Sequence, residues 1–546
     1  MWTLLLVLSG GYVAFLQDPR IMQVGGTQTE TFDALSGDSV GTSDWPSLLF
    51  HFTVKRNSMH LYGRSEFSMY ASPVASADTT SILFDVFATI DDPTAVYNYT
   101  LVNGVSYLQQ NPLVAGSSFS PSVRCLRSDF SGFPPISSIL DALNGALPVT
   151  ELSGSMGSTI KCEAGSIFKV SVDDFDFALC ALKDVGFKMY GVDMDIEVEY
   201  LDTRVHIVAP VIQADDDNDD DECEADVLLS VVTPIGKSLL TGTMVSKDKR
   251  KLAPAIAFPF DDDVACTCKS KRRPCIFFHG LGVKKGSPMN LDSLPYWGPI
   301  ADHAPCCSSM KYAHLNTVNH SWVQASQQQA VCDRALAVSN SSTKSTIRDT
   351  IIVTHSMGGL LIGGAIASGS CKLDPSSTWV SIAAPMSGSM GSDFAQDVCN
   401  GESNIFMEKI AEFRQQCPVN VATKSVAYEN GEHSFPKLNK AYKSVQQAYR
   451  KHVSAAMCSN SYSGLLSTYQ ARFWFIGQFV PHKSKENDGT VEYASCTKGL
   501  DESKFESNYR SRFYRTKLNH FDMQFQSGDG LLNKAKMPVK WFECLL

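Results

Sequence analysis

The chain has 546 residues, a net charge of −10, 44% apolar and 10% aromatic content. It is too long for one core at roughly 100–200 residues per domain, so two or three domains are expected. The negative balance, with no basic patch carrying interleaved aromatics, argues against nucleic acid or an anionic membrane as the main partner.

The N-terminus is apolar from Trp2 to Leu16, broken only by Thr3, Ser9, Gly10 and Gly11. It falls short of the ~20 residues of a membrane-spanning helix. Residues 1–20 read as a signal peptide or a signal anchor, although no Lys or Arg precedes the apolar run and no clear cleavage site follows. A mis-assigned start or a buried helix are the alternatives.

Sixteen cysteines, an even number with no C-x-x-C spacing, argue for disulfides and against zinc. Most are expected to pair, with Cys275 the candidate to stay free in a buried strand. Three sequons, at Asn98, Asn319 and Asn340, fit the same secreted or lumenal, glycosylated reading.

Residues 45–210 read as a β-rich domain. Val192 to Tyr200 alternates apolar and acidic residues, Ile82, Phe84, Val86, Ala88 and Ile90 share one face, and so do Phe168, Val170 and Val172. That is the period of a half-buried antiparallel sheet. A helix is expected near Ile136 to Leu147. The strand order, with Tyr-Thr-Leu-Val-Asn-Gly-Val-Ser-Tyr-Leu at 99–108 and a helix after it, resembles the curved half-barrel of LolA-like and ependymin-like proteins. The resemblance implies a concave apolar face able to hold an acyl chain; a filled structural core is the alternative.

Asp215 to Glu222 is nearly pure acid and lacks the glycine and ligand spacing of a calcium loop. It reads as a solvated linker, inside a connecting segment over 211–265.

From residue 266 strand and helix alternate, as a parallel sheet requires. Pro274–Phe278 is a strand ending in His279-Gly280-Leu281-Gly282. Met310–Asn316 follows, then a helix from about Trp322 to Val338. Ile351-Ile352-Val353 is a doubly buried strand that runs through Thr354-His355-Ser356-Met357-Gly358 into a small-residue helix. This is one residue away from the G-x-S-x-G nucleophile elbow, with Thr354 in place of the first glycine. Thr378–Pro385 and Ala471–Val480 are read as further strands, the second leading to Asn487-Asp488-Gly489. Arg512–Lys517 is the last, and its loop carries Asn519-His520-Phe521-Asp522.

A His-Gly loop, a Ser elbow, an Asp after the penultimate strand and a His after the last, in that order, resemble the α/β-hydrolase superfamily of lipase- and esterase-like serine hydrolases, over about residues 270–546. The Ala383–Ser389 stretch resembles the matching segment of lipases. The fold implied is an α/β hydrolase, a mostly parallel sheet flanked by helices with a cap insertion over about 390–470, preceded by a separate β-rich domain. Phe406, Met407, Ile410, Ala411 and Phe413 lie at helical spacing in that insertion.

The chemistry fixes the roles. A serine hydroxyl needs an imidazole to take its proton, and the imidazole needs a carboxylate to hold its tautomer. Ser356 is the expected nucleophile, His520 the base and Asp488 the orienting acid. The amides of Met357 and of Leu281, or its neighbour Gly280, would form the oxyanion hole. His482 is the runner-up base. His355 and His279 read as packing residues, the latter shaping the oxyanion loop, and Asp522 follows His520 too closely to orient it. No metal or cofactor is called for. The expected activity is cleavage of carboxylic esters, above all of lipid acyl esters, with association at a membrane surface. A thioesterase or acyltransferase would use the same triad, and a silent lipid-binding protein would keep the fold without the activity.

Overall fold

The computed structural model describes residues 45–546 apart from 76–80, 92–94, 114–121, 127–132, 155–158, 161, 163–165, 213–222, 224, 226–229, 244–255, 259–264, 402–416 and 468. The apolar N-terminus, the acidic run and the Phe406–Phe413 pattern therefore lie outside the described residues.

The first half is an antiparallel sheet. Its strands are β1 (Ser47–Val54), β2 (Glu66–Ala75), β3 (Ser81–Asp91), β4 (Ala95–Val102), β5 (Val105–Pro112) and β6 (Ser122–Leu126), then β7 (Leu147–Val149), β8 (Ile167–Val172), β9 (Phe175–Ala181), β10 (Gly186–Tyr190) and β11 (Met194–Leu201). The spatial order is β6-β5-β4-β3-β2-β1-β11-β10-β9-β8-β7, with a twelfth, two-residue strand at Ser230–Val231 paired to β3. Each strand of this path except β7 thus returns beside its predecessor, and β11 lies along β1, with Ser47 opposite Leu201 and Val54 opposite Met194. The path is open only between β6 and β7, where the chain makes helix α1 (Ile136–Asn144).

Alternation decides which face is buried. Leu48, Phe50, Phe52 and Val54 of β1 and Met194, Ile196 and Val198 of β11 are in the core, while their neighbours are half-exposed. One hydrophobic cluster joins them to Ile139, Leu140 and Leu143 of α1 and to Leu239 and Leu240 of α2 (Pro234–Thr241). Helices α1 and α2 thus cover part of the apolar face of this sheet. The segment 99–108 is a hairpin, β4 to β5, turning at Asn103-Gly104.

The second half is a seven-stranded parallel sheet: β12 (Arg273–Phe278), β13 (Cys307–Ala313), β14 (Ile351–His355), β15 (Thr378–Ile382), β16 (Val453–Ser459), β17 (Phe505–Glu506) and β18 (Phe513–Thr516). The order is β13-β12-β14-β15-β16-β18-β17, every neighbouring pair parallel. Its helices include α3 (Ala325–Leu336), α4 (Met357–Ala367), α5 (Met390–Asn400), α6 (Pro436–His452), α7 (Gln470–Phe479) and α8 (Pro538–Cys544). Helix α4 is buried from Met357 to Ala365 and packs with Val331 and Ala335 of α3 and Tyr442, Val445 and Tyr449 of α6.

Three sequence expectations are corrected. Ala471–Val480 is not a strand: residues 470–479 form α7. A short apolar aromatic run fits either state by periodicity, and here Phe473, Ile476 and Val480 pack with Phe394 and Val398 of α5. The last sheet strand before Asp488 is instead β16, whose small residues Ser454, Ala455 and Ala456 gave little strand signal. The stretch read as cap over 390–470 also contains α6 and β16, so its second part is a crossover into the sheet, while α5 in its first part faces the cavity. Finally, Cys275 is not free; it pairs with Cys307 on the neighbouring strand. Strand adjacency is a property of the fold that sequence spacing does not carry.

All sixteen cysteines pair, in eight disulfides. The adjacent Cys306 and Cys307 diverge, to Cys268 and Cys275. This density belongs to an oxidising, extracellular or secretory environment. Among the described residues no helix is long and apolar enough to cross a membrane.

The two sheets meet across a buried polar seam. Arg56 pairs with Asp193 (3.2 Å) and Glu543 (2.8 Å), Lys540 reaches Asp193, and Ser58 Oγ donates to Asp529 (2.6 Å). Burial raises the Asp529 carboxyl to about 6, partly offset by Ser58 and Arg56. Burial also works to raise Glu543, but hydrogen bonding from His303 and the charge of Arg56 prevail and hold it at about 2.

Candidate active site

In an open parallel sheet the chain reverses direction at one point, and the crevice beyond the carboxyl ends of the strands there is the natural site. Here β12 lies between β13 and β14, so the crevice opens between the loop after β12 and the turn after β14. Those are His279-Gly280-Leu281 and Ser356.

Ser356 sits between β14 and α4 with φ 56° and ψ −132°, a strained conformation for a residue with a side chain. Its N–H donates to the Ile382 carbonyl at the end of β15 (2.9 Å), which pins the turn to the next strand. Thr354 is accommodated because its hydroxyl accepts from the Trp379 indole (3.0 Å), so no glycine is needed there. The loop after β12 presses on the serine. A Cβ at Gly280 would lie 2.6 Å from Ser356 Cβ and 3.0 Å from its Oγ, so only glycine fits.

His520 follows β18, and its Nδ1–H donates to Asp488 Oδ2 (2.7 Å). The other oxygen of Asp488 accepts from the amides of Thr490 (2.9 Å) and Val491 (2.7 Å) and from the Thr490 hydroxyl (3.1 Å). The His520 amide in turn donates to the Asp488 carbonyl (2.9 Å). Both side chains are thus held in place, at 2% exposure for Asp488 and 6% for His520. Ser356 and His520 face one cavity of ≈ 490 Å³. Its walls are largely apolar: Leu281, Val283, Pro385, Ala395, Val426, Phe473, Ile476, Val491 and Phe521. Helices α5 and α7 supply part of that wall.

The three expected oxyanion donors are arranged differently from one another. Met357 is the first residue of α4, where a helix leaves its N–H without an intrahelical acceptor. The Gly280 N–H, by contrast, is engaged: it donates to Tyr296 Oη (3.0 Å). Leu281 lines the cavity.

The remaining histidines and acids separate cleanly. His279 is buried, and its Nε2 accepts from the Leu315 amide (3.1 Å) while Nδ1–H donates to the Gly280 carbonyl (2.8 Å). Burial lowers it to about 4, so it is neutral. His355 is fully buried, and burial, then the nearby His520, push it well below its ordinary value. Its Nε2–H donates to the His520 carbonyl (3.0 Å). His482 has both ring nitrogens on acceptors, Glu492 (2.7 Å) and the Gly489 carbonyl (3.2 Å), and stands outside the cavity lining. Asp522 is buried and raised to about 6 by that burial; it accepts from the Leu465 amide (2.7 Å) and from Asn519 (2.5 Å), not from His520.

One contributor went unseen in the sequence: Tyr296 lies in the short turn Pro295–Trp297, which carries no motif, and only the fold brings it to the site. Among the described residues, no cluster of His, Cys, Asp and Glu is arranged to hold a metal ion.

No protein-family model matches the sequence, and no curated protein does. Solved structures do resemble part of the chain. A Staphylococcus hyicus lipase is 13% identical, covering 50% of this chain and 94% of its own, with a TM-score of 0.28. Lipase 1 from Pelosinus fermentans is also 13% identical over 50% of this chain and 97% of its own, with a TM-score of 0.26. A metagenomic carboxyl esterase is 14% identical over 54% of this chain and 80% of its own, with a TM-score of 0.26. These likenesses are to about half of the chain and are too distant to carry an argument beyond the geometry itself.

Proposed function

We propose that the protein is a serine hydrolase of carboxylic esters, with Ser356 as nucleophile, His520 as base and Asp488 as orienting acid. The observation that carries this reading is the Asp488–His520 pair, held on every side and opening onto the same cavity as a serine in a strained turn. Ser356 Oγ attacks the ester carbonyl while His520 Nε2 takes its proton. The carbonyl oxygen becomes an oxyanion, met by the amides of Met357 and Leu281. As the tetrahedral centre collapses, the C–O bond to the alcohol breaks and His520 returns the proton to that oxygen. Water then repeats the sequence on the acyl-enzyme, releasing the acid and restoring Ser356.

The apolar wall supports a lipid acyl ester as substrate, because a hydrocarbon chain gains about 0.8 kcal/mol per buried methylene. The test is labelling with a fluorophosphonate, followed by hydrolysis of esters of graded chain length. A wild-type protein that neither labels nor turns over any ester or thioester sinks the proposal and leaves a lipid-binding role.

A further inference from the structure

Three side chains that take no direct part in the proposed chemistry, the buried His279 and His355 and the partly buried Tyr296, together hold two of the groups that do, the oxyanion loop and His520. The hydrogen positions follow from the acceptors. His355 Nε2 faces the His520 carbonyl (3.0 Å), which can only accept, so Nε2 carries the proton. Nδ1 of the neutral ring is then an acceptor, and the group 2.5 Å from it is Tyr296 Oη. The tyrosine therefore donates to His355, and its oxygen lone pair is what receives the Gly280 N–H (3.0 Å). On the other side of the same glycine, His279 Nδ1–H holds the Gly280 carbonyl (2.8 Å). That carbonyl shares a planar trans peptide with the Leu281 N–H, so fixing one points the other the opposite way.

We propose that Tyr296 and His355 are positioning residues that couple the oxyanion loop to the main chain of the catalytic base. The chain runs from the Gly280 amide through the tyrosine hydroxyl and the His355 ring to the His520 carbonyl. It takes the Gly280 amide out of use as an oxyanion donor and, with His279, leaves that task to Leu281. It also ties the loop after β12 to the loop after β18, so the donors and the base keep one spacing. This inference rests on the proposed hydrolase reading.

The experiment compares Tyr296→Phe, His355→Phe and His355→Gln with the full-length wild type, with thermal midpoints recorded for each. Loss of the hydroxyl or of the ring nitrogens should lower kcat about 10- to 100-fold with KM changed by less than about two-fold, because aim and not affinity is lost. His355→Gln keeps one acceptor and one donor and should recover most of kcat. In ¹⁵N-histidine spectra the resonance absent from His355→Gln should be a neutral Nε2–H tautomer that shifts in Tyr296→Phe. Wild-type kcat in both phenylalanine variants, or an Nδ1–H tautomer at His355, would overturn the relay. If the wild type neither labels nor hydrolyses, the enzyme reading fails by itself, and the tautomer and its response to Tyr296→Phe still decide the hydrogen-bond chain.

Discussion

The two sheets of this protein are built from similar residues and do different work. In the antiparallel sheet, β1 alternates between buried and more exposed positions from Leu48 onward, and every strand from β1 to β10 except β6 is followed by one that pairs with it. In the parallel sheet, β14 is buried at every position from Ile351 to His355. Parallel strands cannot be joined by tight turns, so each connection must cross the sheet, and the loops leaving the carboxyl ends gather at one edge. Leu281, Ser356, Asp488 and His520 all lie on such loops. Topology, more than composition, separates a sheet that packs from a sheet that can carry chemistry.

The sharpest way to break this contrast is to disable the edge without touching either sheet. Ser356→Ala should lower ester hydrolysis by about 10⁶-fold with an unchanged thermal midpoint. Loss of activity accompanied by unfolding would mean that the edge is structural. Asp488→Asn should cost about 10⁴-fold in kcat, read in the same assay, because His520 loses the acceptor that sets its tautomer.

The seam comes next, since it decides whether the sheets are independent. Arg56→Ala removes one partner from each of the buried Asp193 and Glu543 carboxylates, leaving Lys540 and His303 to them, and should destabilise by about 3 kcal/mol. Denaturant unfolding followed separately by activity and by far-ultraviolet circular dichroism should show both falling together. Two separate transitions in the wild type would make the halves autonomous. Gly528 has φ +75°, and a Cβ there would lie 2.1 Å from the Ser58 carbonyl oxygen across the seam. Gly528→Ala should cost about 1–3 kcal/mol, visible as a lower urea midpoint with kcat retained.

The smallest effect is one of pH. Glu543 is held at about 2, below its ordinary 4.5, so its contribution is complete above 4.5 and is lost as pH falls towards 2. The stability gap between wild type and Glu543→Gln should therefore shrink between pH 4.5 and 2. Asp529 shifts the other way but is present in both proteins and drops out of the difference. Urea midpoints at a few pH values would check it; a gap that widens on acidification reverses the assigned sign.

Ser356 and His520 were legible because each stands at a strand end marked by a local signal, small residues around Ser356 and an aromatic run before His520, whereas Asp488 was marked only by its Asn-Asp-Gly turn and follows helix α7, not the strand expected there. Alternation likewise exposed β3, β8 and β11. What failed did so for physical reasons. The run Phe473-Trp474-Phe475-Ile476 is apolar throughout, and apolarity alone does not separate a strand from a helix packed against a second helix. Cys275 looked isolated because its partner sits on an adjacent strand, and adjacency in a parallel sheet is set by crossovers. Tyr296 acts through a single hydroxyl at a distance of 60 residues from Ser356 in the chain, with no pattern to announce it.

The Cys125–Cys223 bond has a consequence for how this protein would respond to proteolysis. It closes a loop of 98 residues that contains the whole acidic run. A cut anywhere in that run separates the polypeptide into two chains, one ending beyond Cys125 and the other beginning before Cys223, and the sulfur bridge keeps them as one molecule. A nicked preparation would migrate as a single band without reductant and as two with it. Cleavage at this point would leave the antiparallel sheet attached to the parallel one.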